Sequence, residues 1–254
     1  MAVLNKEQLH DFLETAYDKY NRPEFITSDP ISIPHLFTKK EDIEISAFLA
    51  ATIAWGQRTT IINNAKKLVE AMDLSPYDFV MEANNKELQR LEHFKHRTFN
   101  AEDLAFFILS LRNIYTQHGG MEKVFSKEDH IKDALVHFNN VFFSILHPKR
   151  TEKHVSNPAA GSASKRLNMF LRWMVRNDKR GVDFGIWKSI SPDLLYCPLD
   201  VHSGNVARKL KLLKRKQNDW QTTEELTKAL RKFDAKDPVK YDFALFGLGV
   251  FEKF

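Results

Sequence analysis

Apolar side chains recur at intervals of three and four along almost the whole chain, and that spacing commits it to helices. Leu9, Phe12, Leu13 and Tyr17 form one such stripe, Ile62, Ala65, Val69 and Met72 a second, and Leu167, Phe170, Leu171 and Met174 a third. The pattern predicts helices over 6–20, 41–54, 59–72, 101–115, 131–146, 164–176, 201–213, 223–233 and 239–248. Ser75-Pro76 opens a further short helix, and another is expected near 184–190. Residues 149–160 read as a basic loop. That makes about ten helices and no convincing strand. Nine glycines and nine prolines in 254 residues are too few for the many turns of a sandwich or barrel. The expectation is an all-α, bilobal fold. A helical lobe spans 35–165 and a second lobe 166–254, with residues 1–34 packed on the second lobe and a central cleft between the two.

The composition excludes several function classes. One cysteine, Cys197, allows no disulfide within the chain and no cysteine-built iron–sulfur site. His93 and His96 lack a carboxylate constellation, so no metal and no cofactor is expected. No basic segment leads into an apolar one at the N-terminus, and no apolar run reaches the roughly 18 residues of a membrane span. A cytoplasmic monomer without a membrane partner is the expectation. The net charge is +5, but it is unevenly spread. Between Lys149 and Lys216 stand sixteen Lys/Arg and five Asp/Glu, a balance of +11 that leaves −6 for the rest. Such asymmetry points to a polyanionic partner on one face. Lys165, Arg172 and Arg176 share one stripe of their helix, which reads as a basic face opposite an apolar one.

Three segments can carry chemistry. In Gly161-Ser162-Ala163-Ser164-Lys165 a small, hydroxyl-rich turn enters a helix. Free amides at a helix start suit a phosphate, so Gly161, Ser162 and Ser164 are candidate DNA contacts. The helix dipole disfavours a cation in the first turn and so favours Lys165 as a neutral, nucleophilic amine. The plain alternative is a capped helix with an exposed lysine. In Pro198-Leu199-Asp200-Val201-His202, Asp200 sits where a helix cap belongs. A carboxylate there caps, and it can also stabilise positive charge developing on a sugar ring. His202 and Arg208 of that helix are candidate phosphate contacts. In Ala54-Trp55-Gly56-Gln57-Arg58-Thr59-Thr60 a buried helix breaks at a glycine. Gln57 is placed to fill the gap left by a flipped base, with Arg58, Thr59 and Thr60 on phosphates. A threonine-capped elbow is the plain alternative. Trp173 and Phe246 are weaker candidates for a base pocket, against ordinary core packing.

The order of these segments resembles the helix-hairpin-helix base-excision DNA glycosylases. Leu199-Asp200-Val201-His202 followed by Val206-Ala207-Arg208-Lys209-Leu210 is the most specific match. Phe48 to Thr60 is similar to the helix that ends in the family's polar turn, Gly161 to Lys165 to the lysine end of the hairpin, and Asp242 to Gly249 to the late core helix. The family's Leu-Pro-Gly-x-Gly hairpin is replaced by Asn157-Pro158-Ala159-Ala160-Gly161. The four-cysteine motif of endonuclease III is missing. Lys165 and Asp200 are 35 residues apart, a spacing that resembles the archaeal 8-oxoguanine glycosylases more than endonuclease III. A bacterial family with the same Cys197-to-His202 segment also looks similar. The resemblance implies Lys165 as a Schiff-base nucleophile, Asp200 as its assisting carboxylate and Gln57 as a duplex wedge. It implies removal of a damaged base such as 8-oxoguanine from double-stranded DNA, followed by strand cleavage through β-elimination. The alternative is a non-catalytic DNA-binding protein on the same scaffold.

Overall fold

The computed structural model describes residues 4–254. Thirteen α-helices are found among them, and the protein is all-α. The helices are α1 (Lys6–Tyr20), α2 (Glu24–Thr27), α3 (Lys40–Thr52), α4 (Arg58–Ala71), α5 (Pro76–Glu82), α6 (Asn85–Gln89), α7 (Ala101–Gln117), α8 (Met121–Phe125), α9 (Ile131–Phe142), α10 (Lys165–Val175), α11 (Val201–Lys209), α12 (Trp220–Leu230) and α13 (Tyr241–Phe251).

The chain forms two compact units. One joins the residues up to Phe25 to Pro158–Phe254; the other is Ile26–Asn157. These bounds differ from lobes over 35–165 and 166–254, for local reasons. The turn before α10 belongs with the C-terminal helices, because Trp220 N–H donates to the Gly161 carbonyl (3.0 Å) and Ser162 pairs with Asp219. Residues 30–36 form two short 3₁₀ turns that pack on α3 and α4 and bury Ile31 and Ile33, so they join the second unit.

In the unit of 26–157, α3 is central. Phe48 meets Phe107, Phe138 and Phe142 at ring separations of 5.7, 5.4 and 5.5 Å. Phe125 stacks on Phe138 at 4.3 Å. Interlocking rings of this kind bury large apolar area with preferred edge and offset geometries. A two-stranded hairpin, β1 (Lys95–His96) with β2 (Phe99–Asn100), interrupts the helices where no strand was expected. Arg97, at φ +55°, turns it. The helix predicted to run to 146 stops at Phe142, where the Ser144 hydroxyl donates to the Val141 carbonyl. Beyond it Phe143 lies flat on Phe106 (5.6 Å), and Leu146 is 99% exposed.

In the other unit, α13 packs on α1 and α11. Two glycines set those approaches. A methyl on Gly247 would fall 2.2 Å from the Tyr20 ring, and one on Gly249 would fall 3.1 Å from the His202 backbone. No helix forms at 184–190. That segment instead donates the amides of Phe184 and Trp187 to the Trp173 and Met174 carbonyls at the end of α10, at 2.8 and 2.9 Å. Groups left over at a helix terminus are satisfied in this way.

Candidate functional site

Lys165 is the first residue of α10, and Asp200 is the N-cap of α11. The two lie in the same unit, with Lys165 Nζ 3.1 Å from Asp200 Oδ2. Their side chains are 30% and 16% exposed, so the pair is partly shielded yet open to solvent. The two oxygens of Asp200 have separate tasks. Oδ1 accepts from the Ser203 amide (2.8 Å) and hydroxyl (3.1 Å), while the Asp200 amide donates to Ser203 Oγ (3.0 Å). That is a capping box closed by serine. Oδ2 is left to face the lysine. Burial pushes the Asp200 carboxyl up, but the Lys165 ammonium and the Ser203 amide outweigh it and hold the group below the usual carboxylate range. Asp200 is therefore ionised at neutral pH.

The turn before Lys165 is shaped by backbone conformation. Gly161 (φ +83°) and Ser164 (φ +47°) are both left-handed, a state that costs a non-glycine residue energy. Nothing lies within 4 Å of a methyl built on Gly161, so the dihedral and not space calls for glycine there. Ser164 is buried. Its amide donates to Ser162 Oγ (3.2 Å) and its hydroxyl to the Ser162 carbonyl (3.4 Å). Of the candidate phosphate contacts on this turn, Ser164 and Ser162 thus serve the turn itself, and only Gly161 is exposed.

The expected basic face of α10 is not a surface. Arg172 and Arg176 are buried. Arg172 pairs with Asp183 (3.2 Å) and Asp242 (2.5 Å). Arg176 pairs with Asp183 (3.0 Å), Asp237 (2.9 Å) and Asp178 (2.8 Å), and donates to Tyr17 Oη (2.8 Å). Burial opposes the Arg176 charge, but Asp183 and Asp237 outweigh it and raise the group above its ordinary value. These arginines cannot meet a phosphate without opening the core. Sequence periodicity missed this network, because a polar helix face reads the same whether solvent or carboxylates cover it. One signal was available: Asp242 stands at the head of the apolar run Phe243–Leu248, where a carboxylate needs a buried cation.

The other candidates divide as follows. His202 is exposed on α11 beside Asp200. Arg208 is spent on the loop after its helix, donating to the carbonyls of Arg215 (2.8 Å), Lys216 (2.9 Å) and Gln217 (3.1 Å). Trp173 is 0% exposed, which excludes stacking on a base. Phe246 is half-buried and meets the Phe25 ring edge-on at 6.2 Å. Gln57, Arg58, Thr59 and Thr60 belong to the unit of 26–157, at the start of α4. Gln57 is the N-cap but makes no capping bond through its side chain, and it is exposed with Thr59 and Thr60. The turn is braced from below: the Trp55 carbonyl meets His96 Nε2 (3.0 Å), while Asn64 meets His96 Nδ1 (2.9 Å). Burial lowers the titration of His96, so it is neutral at physiological pH. His93 is exposed on the surface, and no group of three or more metal-ligating side chains is found among the described residues. No helix among them is long and apolar enough to cross a membrane.

A family model described as "Protein of unknown function (DUF2400)" matches residues 29–251. The chain belongs to that family. The DUF2400 match takes in the Gln57 turn, Lys165 and Asp200, and it begins after α1. No curated protein and no solved structure matches the chain.

Proposed function

We propose that the protein is a base-excision DNA glycosylase with an associated lyase step, acting on an oxidised base such as 8-oxoguanine in double-stranded DNA. The observation that carries this is the Lys165–Asp200 pair: an amine and an ionised carboxylate 3.1 Å apart, each at a helix start, both reachable by solvent. A target base must leave the stack before its C1′ can be reached. The Lys165 amine attacks C1′ as the bond to the base breaks, and the base departs with that electron pair. Asp200 stabilises the positive charge that develops on the sugar and accepts the proton from nitrogen. The resulting Schiff base allows β-elimination of the 3′ phosphate, and water releases the lysine. The order of the motifs along the chain supports the same reading by its resemblance to the helix-hairpin-helix enzymes.

The test is borohydride trapping on an 8-oxoguanine duplex and on an abasic duplex. A covalent adduct that disappears in Lys165→Gln, with DNA affinity kept, is the expected result. An adduct on the abasic duplex alone keeps the chemistry and rejects the lesion. Salt-dependent binding with no adduct on either would instead identify a DNA-binding protein without turnover.

A further inference from the structure

Asp242 is buried in the first turn of α13 and reaches both segments that carry the candidate site. On one side its Oδ2 holds Arg172 at 2.5 Å. Arg172 lies seven residues after Lys165, two turns along the same stripe of α10. On the other side its Oδ1 lies 4.0 Å from the thiol of Cys197, three residues ahead of Asp200. Cys197 is itself fixed, because its amide donates to Thr227 Oγ1 (3.0 Å). Asp242 thus stands behind the Lys165–Asp200 pair, tied to the helix that bears the amine and next to the strand of chain that bears the carboxylate.

The charges that face it come from every element packed there. Burial pushes the Asp242 carboxyl up, Arg172 draws it down, Asp200 pushes it up and Lys165 draws it down, which leaves it at about 6. Asp200 is shifted the other way. Two carboxylates therefore act on one ammonium, and they titrate apart. The buried Cys197 thiol is raised by burial and then by Asp242, so it stays protonated and can donate.

We propose that Asp242 is a positioning residue for the Lys165–Asp200 pair. Through Arg172 it sets the axial position of α10, and its negative charge favours the ammonium form of Lys165 in the resting site. Neutralising Asp242 removes that charge and makes the Lys165 amine more reactive. The proposal rests on reading Lys165 and Asp200 as the working pair, but its test needs no DNA.

Lys165 is reductively methylated with formaldehyde and cyanoborohydride near neutral pH, and its peptide is quantified by mass spectrometry. Asp242→Asn is expected to raise the Lys165 rate by at least about threefold, half a unit of a titration. Exposed lysines such as Lys216 and Lys228 serve as controls and keep their rates. Asp242→Glu is expected to restore most of the wild-type rate. An unchanged Lys165 rate in a folded Asp242→Asn overturns the proposal. The native protein offers a second measurement, needed if the variants fail to fold. Its single cysteine gives a single S–H band in the Raman spectrum, and that thiol faces Asp242. The band is expected to shift with a midpoint near the Asp242 value of about 6. A band that is flat across that region overturns the proposal. The two readings separate cleanly. Faster labelling without any borohydride adduct in wild type retires the glycosylase and keeps the positioning role; an adduct with unchanged labelling does the reverse.

Discussion

The two units are held together by different physics. In residues 26–157 the centre is a cluster of phenylalanine rings around Phe48, Phe138 and Phe142. In the other unit, α10 is held on its polar side by Arg172 and Arg176 among four buried or half-buried aspartates. Rings tolerate small changes in shape, because their attraction is spread over many weak contacts. A buried ion network tolerates little, because losing one member strands the charges of the others. The candidate site sits on the second kind of core. A helix fixed by directional pairs holds its first residue in one place, which suits a reacting amine better than a ring cluster would.

The sharpest way to break this comparison is Arg176→Met, which keeps bulk and removes the charge. It is expected to cost roughly 3–5 kcal/mol in urea denaturation, because Asp183 and Asp237 are left unpaired. A loss under about 1 kcal/mol would mean that the network is held as loosely as the ring cluster. In the other unit, Phe142→Leu is expected to cost only about 1–2 kcal/mol, since a smaller apolar group fills most of the space. A larger loss there would erase the contrast from the opposite side.

Acid stability tests the same comparison through Asp242. Its folded-state value is raised from 3.8 to about 6, chiefly by burial, so the folded protein binds this proton more tightly than the unfolded chain does. Its contribution to stability therefore falls as pH rises from about 4 to about 6 and is constant above that. Asp200, held low against burial by Lys165, has the opposite sign: its contribution is present above about pH 4 and is lost as pH falls below it. Melting temperatures of Asp242→Asn, taken relative to wild type, should rise across pH 4 to 6 and then level. A flat difference would show that the carboxyl titrates normally.

The smallest effect separates the two tasks of Asp200. Asp200→Ala loses the cap and is expected to cost about 1 kcal/mol, whereas Asp200→Ser keeps a capping oxygen and should cost a few tenths. Both remove the carboxylate from Lys165, so borohydride trapping should fall alike in the two. If trapping follows stability instead, the carboxylate matters only as a cap.

Much of the architecture was legible in the chain. The three-and-four spacing marks α1, α4, α7 and α10 within a residue or two of where they lie, because one face of each is buried. Asp200 was readable as a cap for the same local reason. The short helices α6 and α8 and the hairpin at 95–100 were not, since a few residues carry no period. The segment 184–190 misled because its aromatic and aliphatic residues are buried without being helical: they close the end of α10. The candidate site was legible as two residue types at helix starts. Its support was not, because periodicity reports which residues share a face and is silent on what covers that face. Arg172, Arg176 and Trp173 were misread for that one reason.

The glycines of α13 have a consequence in time. Gly247 admits Tyr20 of α1, the first helix to be synthesised, to a helix made some two hundred residues later. While the ribosome works, α1 waits without its partner, and the whole of 26–157 is completed in between. The ring-centred unit can close on its own during that interval. The unit that carries Lys165 and Asp200 can close only after α13 emerges, so a stalled or truncated chain would present a finished half-molecule with no working amine.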